Sequence, residues 1–236
     1  MCPTPVSAAA WLVVLLTGAA ASAWSVPPAR VGGPPRREPY TLEHALTLRT
    51  FSGLSWSRDG RRLAFVVAEQ DTTENTINQD LWLWQAGDTA RRLTRHPMTD
   101  WSPSFSPGGD TIAFVSSRAA GDEAKPGIHL LSLRGGEPWA FGTYDEAINE
   151  VTWSPDGRWL AYVRPDTLPK RVREWQKKKW DQVVEDERLQ YPHLWVVEVA
   201  TGRQRRLTGG AHWVWNPRWA PDSRAIAFLT SPTGKP

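Results

Sequence analysis

The chain has 236 residues, with 28 Lys and Arg against 25 Asp and Glu, 40% hydrophobic residues, 15 Trp and one Cys. It is too apolar and aromatic for a disordered chain. The single Cys excludes a disulfide scaffold or a cysteine-based zinc site, and the near balance of charge disfavours a nucleic-acid-binding surface.

Residues 1–23 carry no charged side chain, have an apolar centre at Trp11–Leu16 and end in Ala21-Ser22-Ala23. This is the pattern of a secretory signal peptide, and it predicts cleavage after Ala23 and a secreted or periplasmic protein. The apolar run Ala8–Leu16 is shorter than the ~20 residues needed to cross a bilayer, so no stable membrane span is expected after cleavage. Residues 24–39, WSVPPARVGGPPRREP, hold five Pro and two Gly and read as an extended linker.

From residue 40 onward the chain repeats itself. Four segments align without gaps: Trp56–Val66 (WSRDGRRLAFV), Phe105–Val115 (FSPGGDTIAFV), Trp153–Val163 (WSPDGRWLAYV) and Trp219–Leu229 (WAPDSRAIAFL). Each opens on an aromatic residue and passes through turn formers. Pro107, Pro155 and Pro221 preset φ, Asp59, Asp156 and Asp222 can bond their own backbone, and Gly60, Gly109 and Gly157 permit positive φ. Each closes on an aliphatic–Ala–aromatic–aliphatic run, apolar on both faces, which predicts a strand buried between layers.

A second half follows. Leu81-Trp-Leu-Trp84 leads to Arg91-Arg-Leu-Thr94, and Leu194-Trp-Val-Val197 leads to Arg205-Arg-Leu-Thr208; Ile128-His-Leu-Leu131 stands at the same place in the middle unit. Gly87-Asp88 and Thr201-Gly202 supply hairpin turns. Four short strands per unit, with anchors near 56, 105, 153 and 219, predict an all-β fold, an incomplete β-propeller of about four blades. The third unit is longer. Its excess, 168–191, includes RVREWQKKKWDQVVEDERLQ (171–190), whose four-residue apolar spacing predicts a short amphipathic helix.

The W-S-P-D-G-R-x-[LI]-A-[FY] unit resembles the repeat of the TolB-like propellers and of the propellers in prolyl oligopeptidase family serine peptidases. Pro39-Tyr40-Thr41-Leu42-Glu43-His44 looks like the lead-in of those peptidase propellers. The stretch from Lys177 to Thr208 is similar to a blade insertion in their acylaminoacyl peptidase and dipeptidyl peptidase-like members. The resemblance implies a seven- or eight-bladed ring that gates peptide access to a C-terminal α/β-hydrolase domain. It therefore implies peptide substrates; the residues themselves offer no cofactor motif, and their charge balance no nucleic-acid partner. The chain ends inside the fourth unit and has no G-x-S-x-G nucleophile elbow, so no catalytic, cofactor-binding or metal residue is assigned. The alternative is a stand-alone TolB-like propeller serving protein interactions in the cell envelope, and more remotely a sugar- or other ligand-binding propeller. Four units are too few to close a ring of that size, and the open arc is expected to self-associate or be poorly soluble.

The remaining candidates carry no chemistry in sequence. His44, His96, His129, His193 and His212 lack ligand spacing. Asp122-Glu123 and Glu185-Asp186-Glu187 read as solvated loops, and Gly32-Gly33 and Gly135-Gly136 as plain turns.

Overall fold

The structure is a computed structural model that describes residues 39, 41, 47–71, 75–118, 125–168, 172, 174 and 190–231. The chain divides into two compact units, Met1–Pro39 and Tyr40–Pro236. The leader and all of the linker but Pro39 lie outside the described residues. So does most of the 168–191 insertion, in which Val172 and Glu174 are helical.

The second unit is built of antiparallel strands. The first blade comprises β1 (Thr50–Trp56), β2 (Arg62–Asp71), β3 (Thr76–Gln85) and β4 (Arg91–Arg92). The second comprises β5 (Asp100–Phe105), β6 (Thr111–Ser116), β7 (Gly127–Ser132) and β8 (Trp139–Ala140). The third comprises β9 (Glu150–Trp153), β10 (Trp159–Pro165), β11 (Pro192–Glu198) and β12 (Gln204–Arg206). The half-blade comprises β13 (Trp213–Trp219) and β14 (Ile226–Ser231). Each full blade is a four-stranded meander in chain order, and β13–β14 form a two-stranded sheet. This is an incomplete β-propeller.

A repeated Ser closes the first turn of each full blade by side-chain bonds, within Ser-x-Asp-Gly in the first and third blades and within Ser-Pro-Gly-Gly in the second, where Ser106 Oγ accepts from the Thr111 N–H at 3.2 Å. In the third blade Ser154 Oγ donates to Asp156 Oδ1 at 2.6 Å and accepts from the Trp159 N–H at 2.9 Å. Gly157 sits at φ +74° while its N–H donates to Ser154 O, a conformation that glycine adopts without strain. Ser57 makes the same pair of bonds with Asp59 and the Arg62 N–H. These bonds hold both Asp59 and Asp156 below the usual carboxylate range, with the seryl hydroxyl as the leading cause.

The Arg-Arg-Leu-Thr run has an equally local explanation. Thr94 Oγ1 accepts from the Leu81 N–H at 3.0 Å, and Arg92 Nε donates to Thr94 O at 2.9 Å. Thr208 and Arg206 repeat this on Leu194, at 3.0 and 2.6 Å. The motif lets a two- or three-residue outer strand hold its place without a long ladder.

Why the second strand of each blade is apolar on both faces follows from the stacking of blades. Ala64 and Val66 join Phe105, Ile112, Phe114 and Leu131 in one buried cluster. Ala113 and Val115 join Val151, Leu160, Tyr162 and Val197 in the next. Ala161 and Val163 join Leu194, Val196 and Val214 in the third. One face of each strand looks forward to the following blade and the other looks back. The small Ala column faces forward, where the inner strand of the next blade crosses. Each fully buried aliphatic or aromatic side chain here is worth about 1.5–3 kcal/mol.

The fourth repeat departs from the expected buried strand. In β14 Phe228 is 38% and Leu229 50% exposed, whereas Phe114, Tyr162 and Val115 are fully buried. Among the described residues no third strand covers the edge of β14 and no blade covers its forward face. On the opposite flank Phe51, Leu54 and Trp56 of the first blade are exposed for the same reason.

Candidate functional site

The inner strands β1, β5, β9 and β13 stand side by side around a concavity of about 860 Å³. Three of them are kinked by a register break at a residue in the left-handed region: Gly53 at φ +58°, Ser102 at +53° and Asn216 at +54°. Such a bulge bends a strand and re-aims its polar groups. At Gly53 a Cβ would lie 3.0 Å from Pro103 Cδ of the neighbouring blade and 3.1 Å from Val66 Cγ2 of its own, so close packing also favours glycine there.

The bulged strands are joined from blade to blade by side chains receiving backbone N–H bonds. Ser55 Oγ accepts from Phe105 N at 3.2 Å, Ser102 Oγ from Val151 N at 3.1 Å and Ser104 Oγ from Trp153 N at 3.0 Å. The Glu150 carboxylate accepts from Asn216 N at 3.2 and 3.0 Å. Two indoles add to this: Trp101 Nε1 donates to Asn149 O and Trp219 Nε1 to Thr152 O. The rest of the lining is uncharged except for Arg218 and mixes the polar Ser52 and Gln79 with the apolar Leu54, Trp56 and Pro103; Arg218 Nη1 donates to Pro217 O. The concavity can therefore accept an extended polar chain without a barrier of either sign.

A second polar cluster lies at the start of the third-blade insertion. Asp166 receives Arg206 at 2.9 and 3.2 Å and faces His193 Nε2 at 3.3 Å, while His193 Nδ1 lies 3.3 Å from Thr208 Oγ1. His193 is fully buried, and burial is the leading cause holding its pKa below the ordinary imidazole value. The hydroxyl, imidazole and carboxylate stand in the order of a nucleophilic triad. Yet Thr208 Oγ1 already accepts the Leu194 N–H, as Thr94 does for Leu81 in a blade with no histidine. Its task is to close a hairpin. In the first blade Asp80 occupies the place of His193 and itself pairs with Arg92; in the third the acid has moved to Asp166. Beside this cluster the buried Arg164 stacks on Trp195 with 4.0 Å from Cζ to the ring centroid.

The other histidines are dispersed. His96 Nδ1 accepts from Met98 N at 3.1 Å. His129 is buried against Phe114, and burial lowers its pKa. His212 is exposed. His44, the acidic clusters at 122–123 and 185–187, and Gly32-Gly33 lie outside the described residues. Gly135 and Gly136 form a turn at φ +117° and +99°. Among the described residues no group of three His, Cys, Asp or Glu is placed to hold a metal ion, and no helix is long and apolar enough to cross a membrane. The Asp166 cluster and Arg164–Trp195 pair were not legible in sequence. The only signal was the second Arg-Arg-Leu-Thr with His in place of the first unit's Asp.

No family model matches the chain. It is 24% identical over 195 residues to the uncharacterized peptidase YuxL of Bacillus subtilis, covering 75% of this chain and 29% of that protein. In fold it is similar to TolB from Acinetobacter baumannii, with a TM-score of 0.55 and 19% identity over 79% of this chain and 39% of that one. It is likewise similar to the acylaminoacyl peptidase of Pyrococcus horikoshii, with a TM-score of 0.55 and 15% identity over 78% of this chain and 28% of that one. These likenesses establish the propeller fold. The chain spans between 23% and 39% of the length of the curated relatives it matches.

Proposed function

We propose that this chain is the propeller portion of an exported serine peptidase of the prolyl oligopeptidase family, and that its inner-strand concavity admits peptides to an α/β-hydrolase domain of the same protein. The observation that carries this reading is the strand-lined concavity of about 860 Å³, whose mixed polar and apolar lining carries one carboxylate, Glu150, and one guanidinium, Arg218, on a fold similar to that of an acylaminoacyl peptidase propeller. A channel of inner strands selects by width, since extended peptides pass and folded domains do not. The likeness to a curated peptidase supports the same reading, and the leader-like residues 1–23 support export. This chain's own part is to bind and orient peptide through main-chain and hydroxyl groups; the nucleophile belongs to the hydrolase domain.

The test is to recover the native protein from its source with antibodies against residues 47–231 and treat it with a fluorophosphonate probe. A labelled species more than twice the 26.5 kDa of this chain is expected, in the extracytoplasmic fraction. An unlabelled propeller of lower mass would overturn the reading and leave the stand-alone TolB-like module.

A further inference from the structure

The third blade carries a buried positive charge that the blade framework does not call for. Arg164 directly follows the Trp153–Val163 repeat, and Val67 and Ser116 stand at the same place in the other full blades. Its guanidinium is buried, yet Nε and Nη1 find no hydrogen-bond acceptor among the described residues. The Nε1–H of Trp195, on whose ring the guanidinium lies, is also buried and without an acceptor there. Buried charges are otherwise paired and buried donors bonded.

The register places these groups together. Arg164 pairs with His193 and Tyr162 with Trp195 across β10 and β11, and Trp195 pairs with Arg206 across β11 and β12. All of these side chains therefore share the face that looks back to the second blade. The connection between the two blades meets that face: Tyr144 packs edge-on against Tyr162, and Thr143 O accepts from Gln204 Nε2 at 3.0 Å. Two acids stand near. Asp166 is taken by Arg206 at 2.9 Å and faces His193. Asp145 Oδ2 lies 4.0 Å from Arg164 Nη1, but its side chain is 80% exposed, so water screens it.

We propose that Arg164 and Trp195 bind a small monovalent anion, a halide or the carboxylate of a formate-sized acid, between the third blade and the 143–145 connection. Guanidinium and indole groups donate and do not accept, so the place specifies an occupant that only accepts. An anion meets this and compensates the charge of Arg164. A water would bring two protons of its own, and the neighbouring Gln204 Oε1 already accepts from Tyr162 at 2.7 Å. The three unpartnered nitrogens are shut off from solvent, which restricts the occupant to a small ion. The inference does not rest on the peptidase reading, since it uses the second and third blades alone.

Thermal unfolding of the purified chain, followed by circular dichroism at one fixed protein concentration, tests it. Sodium gluconate is replaced stepwise by sodium chloride, and in a parallel series by sodium formate, at constant ionic strength. A ligand that binds only the folded state raises the midpoint once its concentration passes Kd. General salt effects act on all variants alike, so the reading is the difference from Arg164→Met. We expect the parent, and Arg205→Met at an exposed arginine of β12, to gain on Arg164→Met as the anion replaces gluconate. A gain with chloride alone identifies a halide, a gain with formate alone a carboxylate, and a gain with both a site open to either. Trp195→Phe keeps a ring under the guanidinium and loses one donor, so its rise should begin at higher anion concentration than in the parent. That variant decides the matter if Arg164→Met does not fold. A parent that gains nothing in either series, which would leave the donors to water, or a rise that persists in Arg164→Met or is unchanged in Trp195→Phe, would overturn the proposal.

Discussion

Ser154→Ala isolates the device that closes the first turn of each blade. The Ser154 hydroxyl is buried, donates to Asp156 at 2.6 Å and accepts the Trp159 N–H at 2.9 Å. Alanine leaves that N–H without its acceptor, which costs about 1–3 kcal/mol for a buried donor. The Asp156 side is the smaller share, because its carboxylate is exposed and water replaces the hydroxyl. We expect a loss of about 2 kcal/mol, or roughly 4–8 °C in Tm for a domain of this size. The turn itself should survive. In the half-blade Ala220 stands at this position, and its N–H still donates to Ala225 O while Ser223 N–H donates to Ala220 O. The assay is urea unfolding followed by tryptophan fluorescence, at one fixed protein concentration so that association does not differ between samples. The experiment has a pH signature. The pKa of Asp156 is lowered in the fold, first by Ser154. That stabilisation is present above the unfolded value near 3.8 and is lost as pH falls through the folded value. The gap between parent and variant should therefore narrow below pH ~3.8. A difference under about 0.5 kcal/mol at pH 7, or one unchanged between pH 7 and pH ~2.5, would refute the assignment.

Two further substitutions probe other links. Gly53→Ala should destabilise by about 1–3 kcal/mol, since the position is at φ +58° and the new Cβ would press on Pro103 and Val66; equal denaturation midpoints would contradict the close-approach argument. His129→Gln should flatten the acid limb of the stability curve. Burial depresses the pKa of His129, so the parent binds its proton more readily when unfolded and loses stability as pH falls through about 6.5. Arg118 and His96 reinforce that depression and Asp100 opposes it. An unchanged slope between pH 7 and 5 in guanidinium titrations would exclude His129 as the titrating group.

The sequence by itself determined the blade. Its first turn is written in Ser, Asp and Gly, which act within five residues, and its second strand in an apolar run whose two faces both require cover. Its outer hairpin is written in Arg-Arg-Leu-Thr, whose Thr reaches back to the third strand. These are short-range effects, so they repeat wherever the letters repeat. The tertiary structure decided what separate units do to one another. Ser55, Ser102, Ser104 and Glu150 read as ordinary polar residues until the fold brings the N–H groups of the next blade, 49 to 66 residues away, onto them. The same holds for Asp166, which substitutes for the acid of the first blade only because Arg206 and His193 come to it from two other strands. Identical letters also take different roles. Ala-Phe is buried in β6 and exposed in β14, because burial depends on what covers a strand.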